Sequence, residues 1–281
     1  MFSMPYRIPL KASLFFLLFS SLALRAQTVL TADGQTDTYT LINSTFGGSS
    51  EEVPDCSHPD FGPHITQEWD NDFNKPVFFF YIHVTPDNDR CVNFDRQRNE
   101  IKAATSAPDS LRGFFSDTVM YRWAFKLDNG FQPSPSFTHI HQIKAVDGDN
   151  GAPIITITPR SGSSNDILQI INVDSSGQTT VLTSTDLTPF EGQWIDAQET
   201  VTYDFNGSYS LTLTRISDGA QLLSFSSDSI DVWRNGTTWV RPKWGIYRSL
   251  NHPDFLRDEV VHFDQLCISK NSDCPAPGPA Q

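Results

Sequence analysis

Short runs of alternating apolar and polar residues recur along most of the chain. β-Branched and aromatic residues dominate these runs, and clusters of Gly, Asn, Asp, Ser and Pro separate them. This pattern is typical of β-strands joined by turns, and apolar residues at helical spacing are nearly absent. The pattern predicts strands over residues 77–85, 118–127, 136–145, 154–158, 167–173, 178–184, 209–216, 221–226 and 260–268.

Many short strands without alternating helices indicate an all-β sandwich. The sequence shows no fixed repeat and no internal linker, so we predict one domain over residues 27–274. The segment 275–281 is rich in Pro and Ala, and we expect it to form a flexible C-terminal tail.

The first 26 residues have the pattern of a secretory signal peptide. Arg7 and Lys11 precede an apolar run that begins at Leu14, and the small residue Ala26 ends the segment. A membrane anchor is the alternative, but the apolar run is too short to span a bilayer. We therefore predict a secreted, extracellular protein without a membrane partner.

Export makes disulfides permissible for the four cysteines. Cys267 and Cys274 are close in sequence and suggest one bridge, which leaves Cys56 with Cys91, although four cysteines allow three pairings. No CxxC pair or His-rich spacing predicts a zinc site. Asn43, Asn206 and Asn235 stand in N-x-S/T acceptor motifs for glycosylation.

The chain is acidic, with 20 Lys and Arg against 33 Asp and Glu and a net charge of −13. Loss of residues 1–26, which carry three cations and no acid, would make the charge about −16. We do not expect a nucleic-acid partner, because phosphate binding needs a basic face. The hydrophobic content of 38% supports one sizeable core, and we expect a monomer.

Alternation along the strands indicates which side chains share a face. Tyr81 and His83 share one face of the strand 77–85, an aromatic and polar surface suited to a sugar, although His83 is equally compatible with an ordinary surface histidine. In residues 96–102 the side chains of Arg96, Arg98, Glu100 and Lys102 share a face. Three cations around one carboxylate would bind an acidic polymer, or form a solvated charged edge.

The predicted strand 136–145 is the second segment with a polar face. Gln142 and Lys144 share a face of the strand 136–145, whereas His139 and His141 share the opposite one. Two buried histidines are costly unless bonded, which leaves open a bulge or an accessible strand end. The HxH spacing also suits a metal, but no third ligand is evident.

In residues 241–248 the third segment places Lys243, Gly245 and Tyr247 on one face. The glycine would leave room for a ligand above the sheet.

Three segments together resemble the strand motifs of β-jelly-roll polysaccharide lyases. They are Arg98-Asn99-Glu100-Ile101-Lys102, Gln142-Ile143-Lys144 and Lys243-Trp244-Gly245-Ile246-Tyr247, in that order. The motifs of the family 7 alginate lyases read R-x-E-x-R, Q-x-H and K-A-G-x-Y, and the wider pattern between Cys56 and Cys267 is closer to the family 20 glucuronan lyases and the heparin lyase I-like group. The resemblance implies a jelly-roll sandwich of two antiparallel sheets with a concave substrate groove.

The resemblance also implies cleavage of a uronate-containing polysaccharide by β-elimination. Gln142 and Arg98 would stabilise the uronate carboxylate, and Tyr247 would act as acid and also as a possible base. A free tyrosine has a pKa of about 10, so cations such as Lys243 and Arg98 would have to assist it as a base.

Because Lys144 replaces the motif histidine, that role falls to His83, then His141, then His139. Substrate contacts would come from the remaining polar residues on these faces: Arg96, Lys102, Lys144, Lys243, His139, Tyr81 and Glu100.

This chemistry requires no cofactor. Asp147, Asp149, Asn150 and Asp264 could donate oxygens to a structural calcium ion, or the Asp-rich segment could simply form a turn. The alternative function is a non-catalytic carbohydrate-binding protein that uses the same face. A glycoside hydrolase is disfavoured because no paired-carboxylate strand pattern is present.

Overall fold

The computed structural model describes Met1, residues 27–270 and residues 272–280. The predicted signal peptide therefore lies outside the described residues, apart from Met1. No helix among the described residues is long and apolar enough to cross a membrane.

The described chain is built from β-strands, in agreement with the alternating sequence pattern. Every strand predicted from the pattern is present, with ends that differ by a few residues. The strands are β1 Gln27–Leu30, β2 Glu51–Glu52, β3 Ile65–Asp70, β4 Lys75–Ile82, β5 Arg96–Lys102, β6 Thr118–Leu127, β7 Thr138–Ala145, β8 Ile155–Arg160, β9 Ile167–Val173, β10 Thr179–Asp186, β11 Ile195–Thr202, β12 Gly207–Arg215, β13 Gln221–Ile230, β14 Val240–Ser249 and β15 Glu259–Ser269.

These strands form the predicted jelly-roll sandwich of two antiparallel sheets. One sheet has the order β13-β12-β11-β6-β15-β4-β3, with β1 also paired to β15. The other has the order β10-β9-β8-β7-β14-β5-β2, and we call it the site sheet. Its adjacent strands β7, β14 and β5 carry the three sequence motifs, although they lie far apart along the chain.

The core lies between the two sheets and is largely aromatic and aliphatic. Trp123 and Trp244 are buried there, with ring centroids 5.9 Å apart. The helix α1 Thr38–Phe46, which hydrophobic periodicity did not reveal, adds Phe46 to this core, stacked on Trp244 at 5.8 Å. Asp37 caps its start by accepting a hydrogen bond from the Thr40 N–H at 2.9 Å.

Short 3-10 helices at Asp109–Leu111, Thr188–Phe190 and Pro253–Phe255 complete the regular structure among the described residues.

Both predicted disulfides are present. Cys56 pairs with Cys91 and Cys267 pairs with Cys274. The C-terminal tail is not detached from the sandwich, because the Ala280 N–H donates to the Phe73 carbonyl at 2.9 Å and the Gly278 N–H to the Gln265 side chain at 2.6 Å.

Candidate active site

The site sheet brings the three motifs side by side on its outer face. In the pairing of β14 with β5, Tyr247 lies opposite Arg98 and Lys243 opposite Lys102. In the pairing of β14 with β7, Lys243 lies opposite Gln142. Strand alternation therefore directs all of these side chains to the same face, as the sequence predicted.

A β-bulge in β14 changes which histidine reaches this face. The pairing with β7 runs from Trp244 opposite His141 directly to Tyr247 opposite His139, so β14 carries one extra residue. His139 is thereby on the same side as Gln142, and His141 points into the core. The prediction that both histidines share the opposite face is wrong for this reason.

Gly245 sits at the bulge and has a φ of +143°, which L side chains rarely adopt. A Cβ at this position would overlap the Asn99 carbonyl oxygen of the neighbouring strand. The glycine is required by the backbone of β5, rather than by a ligand above the sheet as the sequence suggested.

A pocket of about 290 Å³ lies on this face, and we call it the Tyr247 pocket. It is smaller than a cavity of about 460 Å³ on the other sheet, which contains Trp194 and Phe73 and none of the predicted site residues. Its lining joins aromatic, amide and charged side chains with two loop segments. The lining residues are Asp89, Arg90, Asn93, Arg96, Arg98, Phe137, His139, Gln142, Lys144, Gly151, Pro153 and Tyr247.

Tyr247 is surrounded by cations and aromatic rings. The Arg98 guanidinium lies 3.7 Å from the centroid of the Tyr247 ring, and Arg96 Nη1 donates to the phenol oxygen at 3.0 Å. The rings of Phe137 and His139 lie 5.0 Å and 6.0 Å away. A cation that donates to the phenol oxygen stabilises the phenolate left after proton transfer.

A buried ion cluster supports the pocket from below. Glu52 of β2 accepts from Arg90 at 3.0 Å, from Arg98 at 3.3 Å and from Lys102 at 2.5 Å, and also from Lys243. Burial opposes the charge of Glu52, but the cations around it prevail and hold its pKa well below the usual range. Burial lowers the pKa of Lys243 to about 8.

Lys102, Lys243 and Glu100, which the sequence predicted as substrate contacts, are absent from the lining of the Tyr247 pocket. Glu100 has no exposed surface. It accepts from Arg98 Nη1 at 2.7 Å and from the Gln142 amide, and Lys243 Nζ lies 3.7 Å from it. These three side chains position the pocket residues and do not line the pocket.

Gln142 and Arg98 each keep a donor for a ligand. The Gln142 amide nitrogen carries two hydrogens and Glu100 is its one partner among the described residues. Arg98 uses Nε towards Asp89 at 2.9 Å and Nη1 towards Glu52 and Glu100, which leaves Nη2 without a hydrogen bond to the described protein atoms. Both side chains are held rigidly at the pocket wall.

His139 is held as a neutral imidazole. Its Nδ1 lies 2.8 Å from the Thr158 hydroxyl, which itself donates to Thr156 at 2.9 Å. Nδ1 therefore carries the hydrogen and Nε2 is an acceptor. Burial, with smaller contributions from Arg160 and Arg98, lowers the pKa of His139 to about 3.

Lys144 occupies the position of the histidine in the Q-x-H motif of the family 7 alginate lyases. Its Nζ donates to the carbonyls of Asn150 at 2.5 Å and Gly151 at 3.0 Å. Burial lowers its pKa to about 8, and the neighbouring Lys243 and Arg98 charges act in the same direction.

Three further predicted residues, His141, Tyr81 and His83, also lie outside the Tyr247 pocket. His141 is fully buried in the core, where Nε2 lies 2.9 Å from the Glu199 carboxylate and its ring stacks on Trp123. Tyr81 belongs to β4 of the other sheet and donates to Glu68 at 2.6 Å. His83 follows the same strand and its Nδ1 lies 3.0 Å from Asp87. None of these side chains lines the pocket.

The carboxylates expected to bind calcium have separate partners. Asp147 accepts from the Thr238 backbone and hydroxyl at 2.7 and 2.8 Å. Asp264 lies in β15 of the other sheet, 2.5 Å from Lys75 Nζ. Calcium binding stays a prediction, and the predicted pairing of Asp147 with Asp264 in one site has no support from these contacts.

Sequence reasoning missed several contributors to the pocket. Glu52 lies in a two-residue strand without any motif, and Asp89 and Arg90 lie in a loop before β5. Phe137 precedes β7 and packs on Tyr247. The charged residues around Asp89 and Arg90 are recognisable in the sequence. Glu52 becomes recognisable only when the pairing of distant strands is known.

Comparison with solved structures identifies the same fold in polysaccharide lyases. An endo-β-1,4-glucuronan lyase from the fungus Trichoderma reesei superposes with a TM-score of 0.52 and 15% identity over 78% of this chain and 92% of that chain. A family 7 alginate lyase gives a TM-score of 0.53 with 14% identity, over 80% and 95% of the two chains.

An alginate lyase from Pseudomonas aeruginosa gives a TM-score of 0.51 with 14% identity, over 79% of this chain and 97% of that chain. No protein-family model and no curated sequence matches the chain. The jelly-roll fold expected from the strand motifs is thus confirmed, and this chain shares it with lyases of the glucuronan and alginate classes.

Proposed function

We propose that the protein is a polysaccharide lyase that cleaves a uronate-containing polymer by β-elimination. The observation that carries the proposal is the convergence of Tyr247, Gln142, Arg98 and His139 around one pocket. The similar lyase folds support the same reaction class. A pocket of about 290 Å³ is near the lower end of the range for small-ligand sites, and it suits a single sugar unit of a longer chain.

The first requirement of the reaction is stabilisation of the uronate carboxylate. The proton at C5 is weakly acidic while the adjacent carboxylate keeps its full charge. Gln142 and Arg98 each hold an N–H donor that has no hydrogen bond to the described protein atoms, and neither side chain needs to titrate. Donors fixed by Glu100 and Asp89 require little reorganisation as charge develops in the transition state.

Proton transfer is assigned to His139 and Tyr247. His139 takes the proton from C5 through Nε2, the electron pair forms the C4–C5 double bond, and the C4–O bond breaks. Tyr247 gives its proton to the leaving oxygen, and Arg96 stabilises the resulting phenolate. The two ring centroids are 6.0 Å apart, so both side chains can contact the same sugar unit in the pocket.

The low pKa of His139 is compatible with this assignment because the substrate changes its surroundings. Burial is the main cause of the low pKa, and the cations Arg160, Arg98 and Lys144 add to it. A uronate carboxylate bound among these cations would offset their part of the shift and raise the pKa of His139.

The pocket attracts an anionic polymer although the whole chain is acidic. Arg90, Arg96 and Lys144 line it, with side chains of Arg90 and Arg96 that are 40% and 35% exposed. Local field rather than net charge guides an ionic ligand. We propose acidic polysaccharides of the glucuronan or alginate class as substrates and an extracellular site of action.

The test is incubation of the purified protein with glucuronan, alginate and heparin. Elimination raises the ultraviolet absorbance of an unsaturated uronate, and its products have the mass of the polymer fragments without added water. Products that contain an added water and lack the chromophore indicate a hydrolase. Tight binding without any product indicates a carbohydrate-binding protein and overturns the proposal.

A further inference from the structure

A cluster of three histidines and one carboxylate lies outside the Tyr247 pocket. We call His58, His64, His83 and Asp87 the three-histidine cluster. Asp87 Oδ1 lies 3.1 Å from His58 Nδ1 and 3.2 Å from His64 Nε2, and its Oδ2 lies 3.0 Å from His83 Nδ1. One donor atom from each residue lies within 4.8 Å of all the others. The residues come from two loops and the end of β4, so their spacing in the sequence does not predict the cluster.

We propose that the three-histidine cluster binds one Zn²⁺ ion. Three imidazoles and one carboxylate are a donor set that zinc favours, whereas calcium takes oxygen ligands alone. Bonds of about 2.0–2.1 Å in a tetrahedron place the donors about 3.3 Å apart. The observed separations from Asp87 are close to that value, so small side-chain adjustments would complete the site.

His64 is held where a positive charge at Nε2 is favoured. Its imidazole has no exposed surface and faces a carboxylate at each nitrogen, with Asp55 2.8 Å from Nδ1 and Asp87 3.2 Å from Nε2. Without a metal, burial opposes a charge on this ring, but the hydrogen bonds to Asp55 and Asp87 prevail and raise the pKa of His64 to about 9, so both nitrogens donate as an imidazolium. A zinc ion would take the place of the proton at Nε2. With zinc at Nε2, the Nδ1–H donates to Asp55 as in the carboxylate–histidine–zinc arrangement. Tyr39 fixes Asp55 by donating to it at 2.7 Å.

The three-histidine cluster is largely shielded from water but remains accessible to an ion. The side chains of His64 and Asp87 are fully buried, whereas those of His58 and His83 are 24% and 17% exposed. The Phe61 ring covers the cluster, with centroid separations of 4.4 Å to His83 and 4.7 Å to His64. An apolar cover beside partly exposed ligands excludes bulk water while an ion can still enter.

Four protein ligands make this a closed, structural site rather than a catalytic one. The ion would join the loop that carries His58 to the segment that begins at His83. Asp89 in that segment holds Arg98 of the Tyr247 pocket at 2.9 Å, and the Cys56–Cys91 disulfide ties the same two segments. The zinc proposal does not depend on the lyase proposal, because its test measures metal and stability.

The experiment measures zinc content and thermal unfolding of the full secreted chain. The protein is stripped with a chelator, dialysed with ZnCl₂ in the presence of excess Ca²⁺, and analysed for bound metal. We expect about one zinc per chain and a Tm about 5–10 °C above that of the stripped protein, as for a ligand at 100 times its Kd. The paired variant His58→Ala/His83→Ala removes the two partly exposed ligands, and His252→Ala, at an exposed position elsewhere, is the control.

The variants separate zinc binding from a metal-free hydrogen-bonded cluster. Zinc below about 0.1 per chain in the double variant, with full occupancy in His252→Ala, supports the site. Wild-type protein that binds no zinc, or a double variant that keeps both its zinc and its Tm response, overturns the proposal. If the double variant misfolds, the wild-type stoichiometry and Tm response still decide the question.

Discussion

Glu52 is the residue whose replacement tests the buried ion cluster most severely. It is 7% exposed in its side chain and contacts four cations, among them Lys102 at 2.5 Å and Arg98 at 3.3 Å. Glu52→Gln keeps the volume and removes the charge, so these cations retain only Glu100 and Asp89 as nearby counter-charges. We expect loss of stability and a displaced Arg98.

The magnitude follows from the burial of the pairs. Removal of one partner of a buried ion pair costs about 3–5 kcal/mol because the other charge stays desolvated. Lys243, with a pKa already lowered to about 8, can release its proton near neutral pH and limit the loss. We therefore expect the lower end, about 3 kcal/mol, which corresponds to a Tm decrease of about 6–12 °C for a domain of this size.

The pH dependence has a defined sign. The folded pKa of Glu52 is below its ordinary value of 4.5. Its contribution is thus fully present above pH 4.5 and is lost as the pH falls towards the folded value. The difference in Tm between wild type and Glu52→Gln should narrow in acid.

The assay is thermal unfolding followed by circular dichroism at several pH values. Asp95→Asn is the matched control, because Asp95 is 54% exposed and pairs with Arg96 at 2.6 Å, an exposed pair worth about 0–1 kcal/mol. Equal Tm values for the two variants at neutral pH would refute the reasoning, since buried and exposed carboxylates would then contribute alike.

Three further predictions concern the Tyr247 pocket, each measured by the rate of unsaturated-product formation. Gln142→Ala should lower kcat by about 100-fold or more, because one donor to the developing charge is lost; a change confined to KM contradicts that role. His139→Ala should lower kcat by about 100- to 10,000-fold as a general base is lost, and unchanged kcat would remove His139 from the mechanism. Lys144 loses its charge above a pKa of about 8, so KM should rise as the pH passes this value; Lys144→Arg should abolish that rise, and the same rise in both proteins would show that another group causes it.

The sequence was sufficient for the fold class and for the strands that carry the site. Alternation in β5 and β14 correctly placed Arg98 and Tyr247 on one face because these strands keep a continuous register with each other. Gln142 was placed correctly for the same reason, since it pairs with Lys243 before the bulge.

The sequence did not indicate which histidine lines the Tyr247 pocket, because a strand pattern has no means of locating an irregular register. The extra residue in β14 moves His139 to the pocket side, while strict alternation assigns it to the core. His83 was preferred because of its neighbours on β4, yet the strand ends at Ile82 and His83 turns towards Asp87.

The ion cluster and the three-histidine cluster were not predictable for a different reason. Glu52 reaches Lys243 across 191 sequence positions, and His58 reaches Asp87 across 29. Contacts of this kind depend on loop paths and sheet order, which single-sequence periodicity does not encode.

The most direct test of the lyase account is the comparison of wild type with Tyr247→Phe on whichever uronate polymer the wild type cleaves. The account predicts that the variant loses at least 100-fold in the rate of unsaturated-product formation, because the proton for the leaving oxygen is gone, while its Kd for the polymer changes less than threefold. Near-normal turnover by Tyr247→Phe would contradict the assignment of the acid, and a wild-type protein that forms no unsaturated product from any uronate polymer would contradict the lyase account itself.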